Sequence, residues 1–256
     1  KMVVVRALVA GLNLILRTPS GHPLADVDMP LRFAAMVPLQ VFNTLQVPQE
    51  KERLSHTDIL IIGGGAIDAA LEAEIRSLPG EIYSTYGMTE TLSHIALRRL
   101  NGVSASLYYQ PFPSVELSLS PENTLIIKAP LVCDEVLVTN DVALLYPDGS
   151  FIIIGRKDNI INSGGIKIQA EVVEELLKPL ITVPFAITSI PDLKLGQAVV
   201  LLLEEGMDTD MLKEKIHSVL PKYQCPRQIF TVSHLPLTGS GKIDRANCRL
   251  LAEKML

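Results

Sequence analysis

Apolar runs alternate with short polar breaks along this chain, and the period of the alternation changes twice. Residues 3–12 carry apolar positions that suit a buried helix, and residues 13–16 are compatible with a short strand. Residues 34–45 are apolar and fit either helix or strand, with Pro38 breaking any long helix. The polar stretch 46–57 is predicted helical around Glu50 to Leu54. The continuous apolar run 58–62 ends in Gly63-Gly64-Gly65 and predicts a strand buried on both faces, as in a parallel sheet. Asp68 is placed to cap a helix whose Leu71, Ile75 and Leu78 share one face. Residues 81–91 predict a short strand, a turn at Gly87 and a new segment from Thr89; residues 93–100 read as strand or loop. Two strand-to-loop passages that each end in glycine put loops at one edge of an α/β sheet, the usual ligand edge.

From 117 to 154 the pattern becomes five short alternating strands (VELSLS, TLIIKA, CDEVLVT, VALLY, FIII), a small antiparallel sheet or barrel. Residues 156–165 form a polar break, after which the texture changes again. Val172, Val173, Leu176, Leu177 and Leu180 make a helical stripe closed by Pro179; residues 185–190 and 197–203 are strands. Asp208 or Thr209 can cap a helix with Leu212, Ile216, Val219 and Leu220 inward, ended by Pro221; a strand at 228–232, a loop at 236–243 and a last helix from Asp244 follow. The fold class is therefore an α/β plus β larger domain followed by a small α+β C-terminal domain. The larger domain covers 1–157 (α/β over 1–110, β-rich over 111–157) and the small one 158–256.

The 256 residues suffice for two ordinary cores, and a net charge of -5 with no run of Lys or Arg argues against nucleic acid. Residues 1–16 superficially mimic a signal peptide. Arg6 interrupts the apolar run, however, and the segment is too short and too charged to span a bilayer, so no membrane insertion is expected. Cys133, Cys225 and Cys248 are odd in number and too far apart for a zinc pattern, which favours a reducing, cytoplasmic setting. The five histidines show no metal-ligand spacing either.

Four stretches could carry chemistry. In 138–167, two apolar strands flank the turn 146–150, with Asp141 at the start of the pair and Arg156 just after its end. This is either an ordinary hairpin and linker or a device that holds a ribose diol and an anion together. Tyr86-Gly87-Met88-Thr89-Glu90 is either a strand end with a capped helix start, or an aromatic plane for a base, a hydroxyl for phosphate and a carboxylate for Mg²⁺. Gly64 and Gly65 would serve where backbone passes close to a flat ligand. Lys242, after Gly239-Ser240-Gly241, is either a solvated charge or a cation delivered to phosphate and carboxylate oxygens of a site built by another domain.

YGMTE, TND, GRKDNIINSGGIKI and PLTGSGKI, in this order and at this spacing, resemble the adenylate-forming acyl-CoA synthetases and their relatives, the peptide-synthetase adenylation domains and luciferases. The resemblance implies ATP, Mg²⁺, coenzyme A and a small-molecule carboxylic acid as partners, with homodimer formation left open. It implies that Tyr86 stacks on adenine, Thr89 contacts phosphate, Glu90 positions Mg²⁺, Asp141 binds the ribose hydroxyls and Arg156 reaches ribose and phosphate. Asp158 becomes the hinge of the small domain, Lys242 the lysine of adenylation, and Gly164 and Gly165 approach the pantetheine channel. Within the family the nearest likeness is to the o-succinylbenzoate–CoA ligases of menaquinone biosynthesis. Arg6 falls where their opening segment has an arginine that meets the substrate carboxylate; the other reading is an arginine snorkelling from a core helix. There are two departures. No Ser/Thr/Gly-rich phosphate loop ending in Lys precedes this region, which leads us to expect an N-terminally truncated chain inactive alone. In addition, Gln169-Ala170-Glu171 replaces the usual proline-containing lead into the next helix.

Overall fold

The computed structural model describes residues 2–238 and 242–256. The chain divides into two compact units, one of residues 1–118, 126–138 and 145–152, the other of 119–125, 139–144 and 153–256.

The first unit opens with helix α1 (Met2–Ala10), followed by β1 (Leu31–Met36), α2 (Pro38–Gln46), α3 (Pro48–Ser55), β2 (Thr57–Ile62), α4 (Ala69–Ile75), β3 (Glu81–Gly87), β4 (His94–Arg99) and β5 (Gln110–Pro111). The five strands form one sheet in sequence order. β1, β2 and β3 run parallel, and β4 and β5 are added antiparallel. The ambiguity of 34–45 resolves at Pro38. This residue occupies the first turn of α2, where its missing N–H costs no hydrogen bond, so strand ends and helix begins there. Asp68 caps α4 by accepting from the Leu71 amide at 2.8 Å. Val41, Leu45, Leu54, Leu71 and Ile75 of the helices close a core with Met36, Leu60, Ile62 and Ile82 of the strands. Two expectations fail in this unit. α1 is a helix, but Ala7 alone is buried in it; Val4, Val5, Leu8 and Val9 are exposed, so it is not a core helix. Residues 13–16 form no strand and are exposed, with no ladder to satisfy their amides.

Strands β6 (Glu116–Leu119), β7 (Thr124–Lys128), β8 (Leu137–Leu145) and β9 (Phe151–Arg156) make a four-stranded sheet in that order. The runs CDEVLVT and VALLY, read as separate strands, are joined in part: residues 133–136 are not strand, and β8 runs unbroken from Leu137 through the polar Asn140-Asp141 pair to Leu145. β8 and β9 form the expected hairpin around 146–150, with Gly149 at φ +81° and the Asp148 carboxylate accepting from the Ser150 amide (3.0 Å) and hydroxyl (2.6 Å).

The rest of the second unit contains a 3₁₀ turn (Lys157–Asn159), β10 (Ile160–Ser163), β11 (Ile166–Gln169), α5 (Ala170–Leu177), β12 (Phe185–Asp192), β13 (Gly196–Glu204), α6 (Thr209–Val219), β14 (Gln228–Val232) and α7 (Arg245–Lys254). β11, β10, β13 and β12 lie in that order, with β14 parallel beside β13. The polar break of the sequence reading is in part a hairpin. Ser163 pairs with Ile166 across Gly164 (φ +58°) and Gly165 (φ +83°), the two positive-φ residues that a tight hairpin turn requires. The helical stripe is narrower than expected: Ala170, Val173 and Leu177 are buried, whereas Val172 and Leu176 are exposed. β13 is apolar on both faces, and so it separates two clusters. Val199, Leu201 and Leu203 pack with α5 and α6, and Val200 and Leu202 pack with Cys248 and Ala252 of α7. Asp208 and Asp244 cap α6 and α7.

Candidate active site

In the first unit the sheet register brings the expected ligand loops to one edge. Met36 pairs with Ile62 and Ile62 with Ser84, so the segments after β1, β2 and β3 emerge side by side from the carboxyl ends of parallel strands. Gly63 is packed so tightly against Thr85 that a Cβ there would meet its hydroxyl at 2.4 Å. Gly64 (φ +82°) and Gly65 follow, both exposed, against Val37 and Pro38.

Gly87 allows the next turn. A Cβ on it would stand 2.2 Å from the Ser93 carbonyl oxygen and 2.4 Å from the His94 Cα, an approach open to glycine alone. No helix starts at Thr89; residues 88–93 make a turn into β4. Its organiser is Thr91, which the sequence reading overlooked. The buried Thr91 hydroxyl accepts from the Met88 amide (3.1 Å) and lies within donating distance of the Met88 (3.1 Å) and Ser93 (2.8 Å) carbonyls. A threonine inside a Gly-containing loop is the one available signal of such a side-chain-to-backbone lock. Thr89 and Glu90 stand exposed on this turn. Tyr86, half-buried, meets Phe151 edge-on at 5.3 Å and Tyr109 at 6.0 Å.

Arg6 reaches the same loop. Its Nη2 donates to the Ser93 hydroxyl at 2.6 Å and faces His94 Nδ1 at 3.1 Å, with the guanidinium 6.0 Å from the Phe33 ring centre. Arg6 thus meets polar partners through Nη2. Burial lowers its pKa, and burial followed by the Arg6 charge lowers that of His94.

In the second unit the hairpin brings Asp141 and Arg156 together. Arg156 is the last residue of β9 and forks between two carboxylates, Asp141 at 3.3 Å and Asp158 at 2.9 Å, while Asn140 donates to Asp158 at 3.2 Å. The hydrogen bond to Asp158 is the main cause raising the Arg156 pKa. The buried Thr139 hydroxyl donates to the Leu125 carbonyl (2.8 Å) and accepts from the Asp141 amide (3.1 Å), which fixes the backbone of the TND motif. Gly164 donates its amide to Leu195 at 2.9 Å. Lys242 is exposed at the neck of its loop, where its backbone pairs with Thr238 and Ile243 bridges to Leu237. Gly239, Ser240 and Gly241, the expected small-residue approach to Lys242, lie outside the described residues.

Among the described residues no cluster of three or more His, Cys, Asp or Glu is arranged to hold a metal ion. A magnesium ion bound through nucleotide phosphates takes one or two protein carboxylates and keeps its waters, and the exposed Glu90 fits that use.

No family model matches the chain. The crystal structure of an acyl-CoA synthetase (AMP-forming)/AMP-acid ligase II-like protein from Dyadobacter fermentans is 32% identical, covering 91% of this chain and 69% of that one, with a TM-score of 0.55. The chain belongs to the AMP-forming acyl-CoA synthetases. This acyl-CoA synthetase chain is also 28% identical over 213 residues to 2-succinylbenzoate–CoA ligase of Lactococcus lactis, covering 77% of itself and 47% of that protein. It therefore spans about half the length of the curated relatives it matches. It shares its fold with o-succinylbenzoate CoA synthetase of Bacillus subtilis in complex with the acyl-adenylate intermediate, at TM-score 0.77 and 21% identity, covering 95% of this chain and 57% of that one. No helix among the described residues of this acyl-CoA synthetase is long and apolar enough to cross a membrane.

Proposed function

We propose that the protein is an ATP-dependent acid–thiol ligase that joins a carboxylic acid to coenzyme A through an acyl-adenylate, and that the acid is o-succinylbenzoate. Membership of the AMP-forming acyl-CoA synthetases carries the reaction class. The likeness to the Lactococcus ligase, together with the cationic Arg6 beside Ser93, supports the choice of acid, since a second carboxylate on the substrate gives that charge a counter-ion.

In the first step a carboxylate oxygen attacks the α-phosphorus of ATP and pyrophosphate leaves. In the second the CoA thiol attacks the acyl carbonyl, loses its proton and displaces AMP. Tyr86 packs on adenine and Thr89 bonds phosphate. Asp141 accepts from the ribose hydroxyls, and Arg156, already oriented by two carboxylates, donates to ribose and phosphate oxygens. Gly64 and Gly65 let backbone approach the nucleotide. Lys242 stabilises charge on the oxygens of the first step. Asp158 is the hinge between the two steps, after which the side carrying Gly164 and Gly165 serves the pantetheine arm. Glu90 would hold Mg²⁺, which would neutralise phosphate charge.

Pyrophosphate release measured across a panel of acids, with CoA or a carrier protein as acceptor, tests this reading. o-Succinylbenzoate as the preferred acid and CoA as acceptor support it. A monocarboxylic aryl or fatty acid as the best substrate overturns the choice of acid, and carrier-protein loading without CoA use overturns the thiol.

A further inference from the structure

The Gln169-Ala170-Glu171 departure acquires a role from its contacts. The Gln169 amide donates to the Arg156 carbonyl at 2.8 Å and also to the Glu171 carboxylate. The other Glu171 oxygen accepts from the Asn159 side chain. Two side chains at the start of α5 thus hold both ends of the 156–159 segment, once by backbone and once by side chain. The segment itself presents Arg156, Lys157 and Asp158 exposed.

Two features keep these side chains in place. Gly155, buried at the end of β9, leaves the space they fill: a Cβ there would stand 2.5 Å from Gln169 Nε2 and 2.6 Å from Glu171 Oε2. Behind Glu171 lies Arg245, its Nε 3.9 Å away and its two terminal nitrogens on Glu174 at 2.9 and 2.6 Å. Glu174 also accepts the Ile187 amide at 2.8 Å. The chain of contacts runs from the 156–159 segment into the packed body of α5, α7 and β12.

We propose that Gln169 and Glu171 are positioning residues that anchor the 156–159 segment to α5, so that it is held as part of the second unit, with the side chain missing at Gly155 making room for them. This deepens the proposed function and rests on its assignment of Asp158 as a hinge. Rotation about Asp158, which lies between the two clipped ends, then requires the clip to open.

Trypsin gives a local readout, because Arg156 and Lys157 supply two cleavage sites inside the segment, and cleavage of a folded chain follows the population of the locally opened form. Glu171→Ala removes two hydrogen bonds and is expected to raise cleavage after Arg156 and Lys157 on the order of tenfold, with other tryptic sites unchanged. Glu171→Gln keeps one acceptor oxygen and should give an intermediate rate. Gly155→Ala, which keeps both side chains but fills their space, should behave like Glu171→Ala. Hydrogen exchange at residues 157–163 should accelerate in the same order. Unchanged cleavage in all three variants, or a rise spread equally over every tryptic site, overturns the anchor. In the ligase, loosening of the segment without any change in the ratio of the two half-reaction rates would contradict the hinge assignment and leave the anchor standing.

Discussion

Arg6 Nη2 stands 3.1 Å from His94 Nδ1, and because a guanidinium only donates, the imidazole must accept there as the neutral Nε2–H tautomer. Protonating His94 would place two cations in contact beside the Phe112 ring, whose centre lies 5.5 Å from that of the imidazole.

A pH dependence of defined sign follows. The folded His94 pKa lies below its ordinary value of 6.5, first through burial and then through Arg6. The unfolded chain therefore binds the proton more readily. The stability contributed by this site is complete above the ordinary histidine value and is lost as pH falls through the depressed one. Arg6→Met is expected to move the His94 titration, followed by NMR of its ring protons, back toward the ordinary value while leaving the burial part in place. An unmoved titration would show that the charge of Arg6 does not act on His94.

Gly87→Ala tests the close approach at the end of β3. The added methyl would meet the backbone of Ser93 and His94, which cannot rotate away as a side-chain tip could. The expected cost is about 3 kcal/mol, read as a lower urea midpoint in the transition that reports the first unit. A cost under about 1 kcal/mol would mean that the 88–93 turn is readily rebuilt, because an ordinary surface substitution falls in that range.

Cys248 is buried between α7 and the sheet, and burial pushes its thiol up to about 11. Thiolate is the reactive form, so at pH 8 only about one Cys248 in a thousand is poised to react. Alkylation of the native chain is expected to modify Cys133 first and Cys248 only on unfolding. Early labelling at Cys248 would contradict its burial.

Lys242 is assigned to one half-reaction only. In the ligase, Lys242→Ala is expected to lower adenylation by two or more orders of magnitude, the scale of losing a charge-stabilising donor. Thioester formation from supplied acyl-adenylate should be preserved. Equal loss of both steps would refute the assignment.

The elements that were legible in the sequence are those with a strong local cause. The β2 run ending in three glycines, the Asp68 cap, the capped start of α6 at Asp208 or Thr209, the last helix from Asp244 and the hairpin at 146–150 all lie where the pattern puts them. The Asp141–Arg156 pairing was legible too, because a hairpin of fixed register must bring its two ends together. What was misread depends on contacts distant in sequence. Four-residue strands on either side of Gly164-Gly165 are too short to announce themselves, and their second Ile and Lys positions look like linker until β10 finds Gly196 across the sheet. The exposed apolar face of α1 carries the composition of a core helix without the burial. His94 takes its character from Arg6, 88 residues away, whereas Thr91 bonds its near neighbours Met88 and Ser93 through a side-chain-to-backbone lock that hydrophobic periodicity does not encode.

Oxygen-isotope transfer from the acid follows the acyl-adenylate itself. With both carboxylate oxygens of the substrate labelled with ¹⁸O, attack on the α-phosphorus leaves one acid-derived oxygen on AMP once the thioester has formed. Singly labelled AMP is expected in step with thioester. Label found in inorganic phosphate beside ADP, or AMP formed without label, would contradict an acyl-adenylate route.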